Sequence, residues 1–178
     1  MGEFALSNAS FKPGTLIPVY NHEHAIEHTL ADVLEYGFNV LLVDDGSDQS
    51  CAEVLKALAE KHTDRVTLLR LPSNGGKGAA VKAGLKKLRT MGMSHVHKMV
   101  TLIEAEPCGN RMDFDPEVIV RWRWRNGHIV NVQTRVNYPA DGVSHFKLLH
   151  DNVLISWMHT RLFFGMLIRL PRLLWQKF

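Results

Sequence analysis

Three short motifs in the first half of the chain contain residue types that could form a binding site for a charged ligand. They are IPVYN (residues 17–21), VDDGSD (residues 43–48) and NGGKGAA (residues 74–80). Asp44 and Asp45 directly follow an apolar run, where carboxylates accept hydrogen bonds from a base or a ribose, or hold a cation. The alternative is a turn whose Asp and Ser side chains cap the next helix, but it leaves two adjacent carboxylates unexplained.

The glycine-rich motif predicts an anion site. A glycine-rich turn that leads into a helix presents backbone N–H groups and the positive end of the helix dipole, and Lys77 adds a point charge. The motif has neither the spacing of a Walker A loop nor the GxGxxG pattern of dinucleotide-binding proteins. The alternative is an Asn-Gly turn with a solvated lysine. IPVYN alone is explained as a strand end whose Asn21 caps a helix.

The elements that must position these motifs follow from the apolar periodicity. Short apolar runs predict four strands, at residues 15–20, 40–43, 66–71 and 99–103, and helical apolar stripes separate them. This alternation predicts an α/β fold with a parallel sheet and right-handed crossovers. Because ligands bind outside the carboxyl ends of such strands, the three motifs are expected at one edge of the sheet.

The chain beyond Pro107 has a different texture. Asp115 followed by Pro116 predicts a helix N-terminus with Asp115 as the N-cap and an end near Arg125. Residues 129–136 alternate like a strand, and residues 152–178 predict one or two amphipathic helices. Trp122 and Trp124 alternate with the arginines of residues 121–125, as in some nucleic-acid-binding surfaces. A helix with one buried face is preferred, and no nucleic-acid partner is expected.

Composition and charge indicate a globular chain with a basic, apolar tail. The 178 residues are 46% hydrophobic and 22% charged, with a net charge of +3. Five basic side chains and one acidic side chain lie from His145 onward, so the excess base belongs to the tail and favours a membrane surface. Two cysteines are too few for a disulfide framework. The N-terminal residues lack the pattern of a signal peptide, and none is expected.

In this order on successive strand ends, IPVYN, VDDGS and N-x-GKGAA resemble the family-2 glycosyltransferases with the GT-A fold. The likeness is greatest to the dolichyl-phosphate-mannose-synthase-like branch. It covers residues 15–97 and resumes at about Cys108, where the chain is similar to bacterial members. The resemblance implies a Rossmann-like GT-A sheet for a nucleotide-diphospho-sugar, here incomplete, followed by amphipathic C-terminal helices.

The resemblance also implies roles for particular residues. In these enzymes the first strand end and the aspartates after the second strand hold the nucleoside of the donor. This assigns base and ribose contacts to Val19, Tyr20, Asp44 and Asp45, and places Lys77 in the same donor pocket. It places Arg135, Ser144 and His145 near the diphosphate or the acceptor phosphate.

One departure from the family concerns the metal. The family's fourth strand ends in Asp-x-Asp, which binds Mg²⁺ or Mn²⁺ at the diphosphate, and this chain lacks that run. It resembles a member with a large internal deletion whose junction lies near residues 97–100. Glu104 and Glu106 are weak substitutes, since carboxylates two apart share one side of an extended chain. The preferred alternative places both in a helix or loop before Pro107. Asp113 and Asp115 are a second, disfavoured pair.

The resulting expectation is an inverting family-2 glycosyltransferase with a UDP- or GDP-linked donor and an acceptor that is unidentified, with a lipid phosphate as one candidate. Residues 1–150 would form a truncated GT-A domain and residues 151–178 a membrane-associating tail. The longest uncharged stretch of the tail, residues 162–168, is too short to span a bilayer. A peripheral location on the cytoplasmic face of the cell membrane is therefore expected.

Two other interpretations stay open. In the first, the chain is a catalytically impaired remnant that binds nucleotide or membrane without turnover. In the second, it is an unrelated Rossmann-type binding protein. Loss of central strands would leave an unpaired sheet edge, which predicts low stability or a homodimer formed through that edge.

Overall fold

A computed structural model of the chain describes residues 12–93, 97–106, 108–129 and 147–175, with only the backbone described at residues 97, 98, 172 and 173. The chain divides into two compact units, the first ending at Glu106 and the second beginning at Pro107. The predicted domain limits, 1–150 for a truncated GT-A domain and 151–178 for the tail, stay a prediction. The division into compact units does not test which part of the chain is related to the family.

The first unit is a three-stranded parallel sheet with its connecting helices. Its elements are β1 (Gly14–Val19), α1 (Glu23–Glu35), β2 (Asn39–Asp44), α2 (Gln49–Lys61), β3 (Val66–Arg70), α3 (Lys77–Thr90) and α4 (His97–Ala105). The strands lie in the order β1-β2-β3, and both pairs are parallel. The predicted α/β fold with a short parallel sheet is confirmed.

The central strand β2 is buried on both faces, as its unbroken apolar run predicts. Val40 and Leu42 pack with α1 and α2, whereas Leu41 and Val43 pack with α3 on the opposite face. All four side chains are at most 1% exposed. Burial of each such side chain contributes about 1.5–3 kcal/mol, so β2 is the main apolar anchor of this unit.

The expected fourth strand at residues 99–103 is wrong, because these residues belong to helix α4. Val100, Leu102 and Ile103 are buried while Thr101 and Glu104 are exposed, which suits one face of a helix. A short apolar run cannot be assigned to strand or helix by periodicity alone. Within the described residues, β1 pairs only with β2, so its other edge has no strand partner there. The predicted homodimer stays a prediction.

The second unit contains α5 (Phe114–Trp124) and α6 (Leu148–Trp175). Helix α5 ends close to the predicted position but begins earlier than expected, with Asp113 rather than Asp115 at the N-cap. The carboxylate of Asp113 accepts a hydrogen bond from the Arg111 amide at 3.1 Å, which closes the turn before the helix. The predicted strand at residues 129–136 falls, after Ile129, outside the described residues.

Two fully buried carboxylates join the helices of the second unit. Glu117 accepts hydrogen bonds from the Gly109 amide at 2.7 Å, Arg121 Nη2 at 2.7 Å and Arg161 Nη2 at 3.2 Å. These partners satisfy a charge that would otherwise be costly to bury. Glu117 therefore ties α5 and the turn before it to α6.

Asp151 of α6 is the second buried carboxylate. It accepts hydrogen bonds from Arg111 Nε at 2.8 Å and from the Lys147 amide at 2.7 Å. The Arg111 hydrogen bond, acting against the effect of burial, holds the pKa of Asp151 well below its usual range. Asp151 is therefore an anion that anchors the start of α6.

Helix α6 is one continuous helix of 28 residues that contains Pro171. Its segment Leu148–Pro171 has 24 residues and includes an 18-residue window with a mean hydropathy of 1.3, of which 11% is buried, so it is long and apolar enough to cross a membrane by length and composition. The argument that the tail is too short to span therefore does not hold for the helix as a whole.

Gly84 provides a test of the packing between α3 and the sheet. A Cβ added at Gly84 would collide with Leu16 Cδ1 and lie 2.9 Å from Val43 Cγ2. We expect Gly84→Ala to destabilise the protein by about 1–3 kcal/mol, because overpacking outweighs the gain in helix propensity. Urea unfolding measures this change. An unchanged or higher stability would contradict the close approach of α3 to β1 and β2.

Candidate functional site

The carboxyl ends of the three strands lie side by side. Val19 at the end of β1 is in register with Asp44 of β2, and Asp44 is in register with Arg70 at the end of β3. The amide of Asp45 donates to the Val19 carbonyl at 2.9 Å, which extends the pairing past the strands. The three sequence motifs therefore begin at one edge of the sheet, as predicted.

Asp44 is fully buried and paired with a cation. Its Oδ1 accepts a hydrogen bond from the Ser47 amide at 2.8 Å, and its Oδ2 lies 3.2 Å from Arg70 Nη1. The Arg70 contact is close but does not have hydrogen-bond geometry, and Oδ2 accepts no hydrogen bond from the described residues. Arg70 Nη2 also donates to the Ser47 carbonyl at 3.1 Å. Arg70 therefore covers Asp44 and holds the turn that follows it.

Both carboxylate oxygens of Asp45 accept hydrogen bonds from the glycine-rich motif. Oδ1 accepts from the Gly75 amide at 2.9 Å, and Oδ2 accepts from the Gly76 amide at 2.8 Å. Asp45 is 2% exposed, and Gly76, the N-cap of α3, has a φ of +91°. Two N–H groups that the sequence offered to an external anion are thus bound by an internal carboxylate. Asp45 sets the shape of the turn that leads to Lys77.

Asn21 joins the first motif to the second. Its amide donates to Ser47 Oγ at 3.1 Å, and its Oδ1 accepts from the Asp48 amide at 3.0 Å. The prediction that Asn21 caps α1 is wrong: His22 stands at the N-cap, without a side-chain capping bond. Asn21 has a φ of +51°, a conformation that Asn tolerates better than most residues, and its side chain serves a long-range contact instead.

Two residues of the second motif explain its local form. Asp48 caps α2 by accepting a hydrogen bond from the Cys51 amide at 3.0 Å, which confirms the capping interpretation for that residue. Gly46 has a φ of +69°, and a Cβ there would lie 2.6 Å from both Ser73 Cα and Asn74 N. Only glycine permits this approach of the second motif to the third.

The two remaining residues that were predicted for the donor site lie at the same edge. Tyr20 directly follows β1 and is half-buried, and Lys77 is the exposed first residue of α3. The structure therefore brings Val19, Tyr20, Asp44, Asp45 and Lys77 to one edge of the sheet. Arg135, Ser144 and His145 lie outside the described residues.

The weak metal candidates do not form a metal site in the described part of the chain. Glu104 lies on α4, where both of its oxygens accept hydrogen bonds from Arg89 at 3.1 Å, and Glu106 follows the end of that helix. Because Glu104 is helical rather than extended, the argument that two carboxylates share one side of an extended chain does not apply to this pair. Among the described residues no group of three His, Cys, Asp or Glu side chains has the arrangement of a metal site.

Arg70 is the site residue that the sequence reasoning missed. It sits at the end of a predicted strand, but nothing in its neighbours along the chain distinguishes it from a solvated arginine. A signal existed in the strand ends: in a parallel sheet the end of the third predicted strand lies beside the end of the second, which carries Asp44.

Comparison with known proteins indicates which class of protein the first part of the chain resembles. Residues 15–91 match the family model described as Glycosyl transferase family 2. These residues contain all three motifs and the whole three-stranded sheet except Gly14, so the part of the chain that is similar to glycosyltransferase family 2 is the part that holds the candidate site.

Particular relatives include sugar transferases named for lipid phosphates. The undecaprenyl-phosphate 4-deoxy-4-formamido-L-arabinose transferase of Pseudomonas aeruginosa is 41% identical over 80 residues, 42% of this chain and 24% of that protein. The dolichyl-phosphate beta-glucosyltransferase of Dictyostelium discoideum is 30% identical over 82 residues, 39% of this chain and 25% of that protein. The match thus spans about a quarter of the length of these relatives.

A solved structure is also similar. It is the mannosyltransferase PcManGT from Pyrobaculum calidifontis in complex with GDP-Man and Mn²⁺, with a TM-score of 0.39 and 26% identity. The similarity covers 43% of this chain and 24% of that one.

A first prediction concerns Asp45. We expect Asp45→Asn to lower the stability by about 1–3 kcal/mol. The asparagine side chain has one acceptor oxygen, so it can accept a hydrogen bond from only one of the two glycine amides. Its own NH₂ group would face the other amide, which then has no acceptor. Amide exchange of Gly75 and Gly76 should also accelerate, which hydrogen-exchange NMR measures. Asp48→Asn is the matched control: its side chain accepts one capping bond, which Asn accepts equally well. Equal effects of the two substitutions would contradict the bidentate role of Asp45.

A second prediction concerns the Asp44–Arg70 pair. Arg70→Met should destabilise the protein by about 1–3 kcal/mol, a figure reduced because the arginine side chain is 45% exposed. The double variant with Asp44→Asn should lose less than the sum of the two single variants, as urea unfolding in a double-mutant cycle measures. Lys56→Met, which removes an exposed ion pair with Glu60, should change stability little. Strict additivity would show that Arg70 does not compensate Asp44.

Proposed function

We propose that this protein transfers a sugar from a UDP- or GDP-linked donor to a lipid-linked phosphate, with inversion at the anomeric carbon. The observation that carries the proposal is the hydrogen-bonded edge formed by Asp44, Asp45 and the glycine-rich turn, within the segment that matches glycosyltransferase family 2.

The donor's nucleoside would bind at the ends of β1 and β2. Tyr20 is half-buried and offers aromatic surface for a base beside the buried Val19, and Asp44 offers a carboxylate oxygen that accepts no hydrogen bond from the described residues. A buried acceptor without a donor is costly, so an N–H group of a base or an O–H group of a ribose would be favourable there. Because Asp44 is fully buried beneath Arg70, the ligand must displace the arginine side chain to reach it.

The donor's diphosphate would lie toward α3. Asp45 holds Gly75 and Gly76, and this positions Lys77 at the positive end of the α3 dipole. In a sugar transfer the leaving nucleoside diphosphate gains negative charge, which a cation placed there stabilises. In this scheme Asp45 is a positioning residue and Lys77 is a ligand of the phosphates.

The proposed acceptor class rests on the relatives. The names of the transferases from Pseudomonas aeruginosa and Dictyostelium discoideum refer to undecaprenyl phosphate and dolichyl phosphate. A phosphate oxygen is already an anion, so it can attack the anomeric carbon without a general base, and a single displacement inverts that carbon. We assign Arg135, Ser144 and His145 to the phosphates on this side. The apolar helix α6 is consistent with a protein that binds a lipid substrate. We propose that the protein lies on the cytoplasmic face of the cell membrane.

A divalent metal is expected from the family resemblance, but the described residues do not fit one. Glu104 is engaged by Arg89, and no described group of acids or histidines has a suitable arrangement. No step is therefore assigned to Mg²⁺ or Mn²⁺ here. The same observation favours a second candidate function, a remnant that binds the nucleotide without transferring the sugar.

Nucleotide binding is the first test. We expect UDP or GDP, but not NAD, to raise the melting temperature, since a ligand bound to the native state at 100 times its Kd adds about 2.7 kcal/mol. Lys77→Ala should reduce the shift by weakening the contact with the phosphates. Lys86→Ala, at another exposed lysine of α3, is the matched control and should leave it unchanged.

The outcomes separate the two candidates. A nucleotide shift together with sugar transfer to a polyprenyl phosphate supports the transferase. A shift that is indifferent to Mn²⁺, without transfer, supports the remnant. No shift with either nucleotide contradicts both.

A further inference from the structure

The charged side chains that the structure describes on α6 all turn toward the α5 side. Asp151 binds Arg111 at 2.8 Å, Arg161 binds Glu117 at 3.2 Å, and Arg169 lies 4.7 Å above the ring of Trp124. At about 100° per residue these three side chains fall within about 80° of one another around the helix axis. They form one stripe, which we call the ionic stripe.

The opposite face of α6 is apolar and exposed. Its large apolar side chains, from 45% to 86% exposed, are Leu149, Val153, Trp157, Phe163, Phe164, Leu167, Ile168, Leu174 and Trp175. From Phe163 onward, every exposed side chain that the structure describes on α6 is apolar. Nearer the N-terminus of the helix, the exposed positions also include neutral polar residues and histidines. The exposed apolar surface from Phe163 onward is therefore uninterrupted by polar side chains among the described residues, and such a patch marks an interaction site.

We propose that α6 lies in the plane of a membrane surface, with this apolar face in the acyl region and α5 on the aqueous side. Its length and composition would also permit a span. The ionic stripe argues against one: it runs from Asp151 to Arg169, about 27 Å along the axis, which is close to the thickness of the hydrocarbon core.

Helix α5 and the turn before it contact α6 along this stripe. Arg111, Glu117 and Trp124 contact α6 in the same order as their partners follow one another along it. A spanning α6 would therefore draw the exposed charges of α5, such as Arg123, into hydrocarbon, where charged side chains are expensive. An in-plane helix keeps α5 in water and buries only the apolar face.

The exposed charges of the second unit favour an anionic leaflet. Among its described residues, Arg123, Arg125 and Lys147 are exposed, against the single exposed acid Asp115. Basic residues near a membrane surface are attracted to anionic headgroups over about a Debye length. The occupant that fits the apolar face is thus an anionic lipid bilayer.

The four tryptophans give a direct test of orientation. Three full-length variants each keep one of Trp124, Trp157 and Trp175, with Phe replacing the others. Each is mixed with phosphatidylcholine vesicles, with and without phosphatidylglycerol, in which the lipids carry bromine either near the headgroup or near the end of the acyl chain. Quenching of tryptophan fluorescence by bromine reports depth, and circular dichroism verifies that each variant is folded.

For an in-plane helix we expect Trp157 and Trp175 to be quenched at the same shallow depth, and Trp124 to be quenched little. Binding should be stronger with phosphatidylglycerol. A spanning helix would place Trp157 and Trp175 at depths that differ strongly, and this result would overturn the proposal. Absence of vesicle-dependent quenching at both positions would also overturn it, since the apolar face would then be covered by something other than lipid.

A matched pair of charge insertions checks the face itself. Leu167 on α6 and Ile119 on α5 are 45% and 52% exposed. Leu167→Glu should reduce vesicle binding at least tenfold, and Ile119→Glu, which adds the same charge on the aqueous side, should change it less than twofold. Equal losses would contradict the assignment of the faces. These measurements need no nucleotide, so they are independent of the proposed transferase activity.

Discussion

The bidentate contact of Asp45 with the amides of Gly75 and Gly76 is the interaction on which the candidate site depends. It joins the end of β2 to the start of α3 across 30 residues of chain. Gly46 permits the approach because its backbone adopts a positive φ, and a side chain there would meet the backbone of Ser73 and Asn74. The glycine-rich turn is therefore shaped from within the protein before any ligand arrives.

The two adjacent carboxylates at the end of β2 coexist because they are compensated in different ways. Asp44 is balanced by the Arg70 guanidinium and the Ser47 amide, whereas Asp45 is balanced by two backbone amides. Each charge is thus buried with partners of its own, which offsets its desolvation. In the proposed transferase only Asp44 keeps an oxygen for the ligand, and Asp45 acts through the turn that carries Lys77.

In the second unit, buried acids are also compensated by partners of their own, and here the pairing determines which face of α6 carries charge. Its two fully buried acids, Glu117 and Asp151, are compensated by arginines from α5, from α6 and from the turn before α5. Because these pairs gather the charges of α6 on one stripe, the rest of the helix is free to be apolar. The membrane-facing surface that we propose for α6 thus depends more on the position of the ion pairs than on the overall hydrophobicity of the tail.

The sequence by itself determined the parts that depend on local pattern. The unbroken apolar run of β2 predicted a strand buried on both faces, and the alternation of strands and helices predicted a parallel sheet with the three motifs at one edge. The family resemblance rested on those same motifs, and the match over residues 15–91 confirms it. These inferences succeed because side-chain periodicity and strand order follow from residues that are close in the chain.

Only the tertiary structure decided what depends on distant partners. The apolar run at residues 99–103 became a helix, since a short run suits either element until its packing partners are known. Asn21 contacts Ser47 and Asp48 instead of capping α1. Arg70 gained its role from a register that sets it beside Asp44. Hydrogen bonds and ion pairs between residues more than 20 positions apart leave no local signature, because their energy arises only when folding brings the partners together.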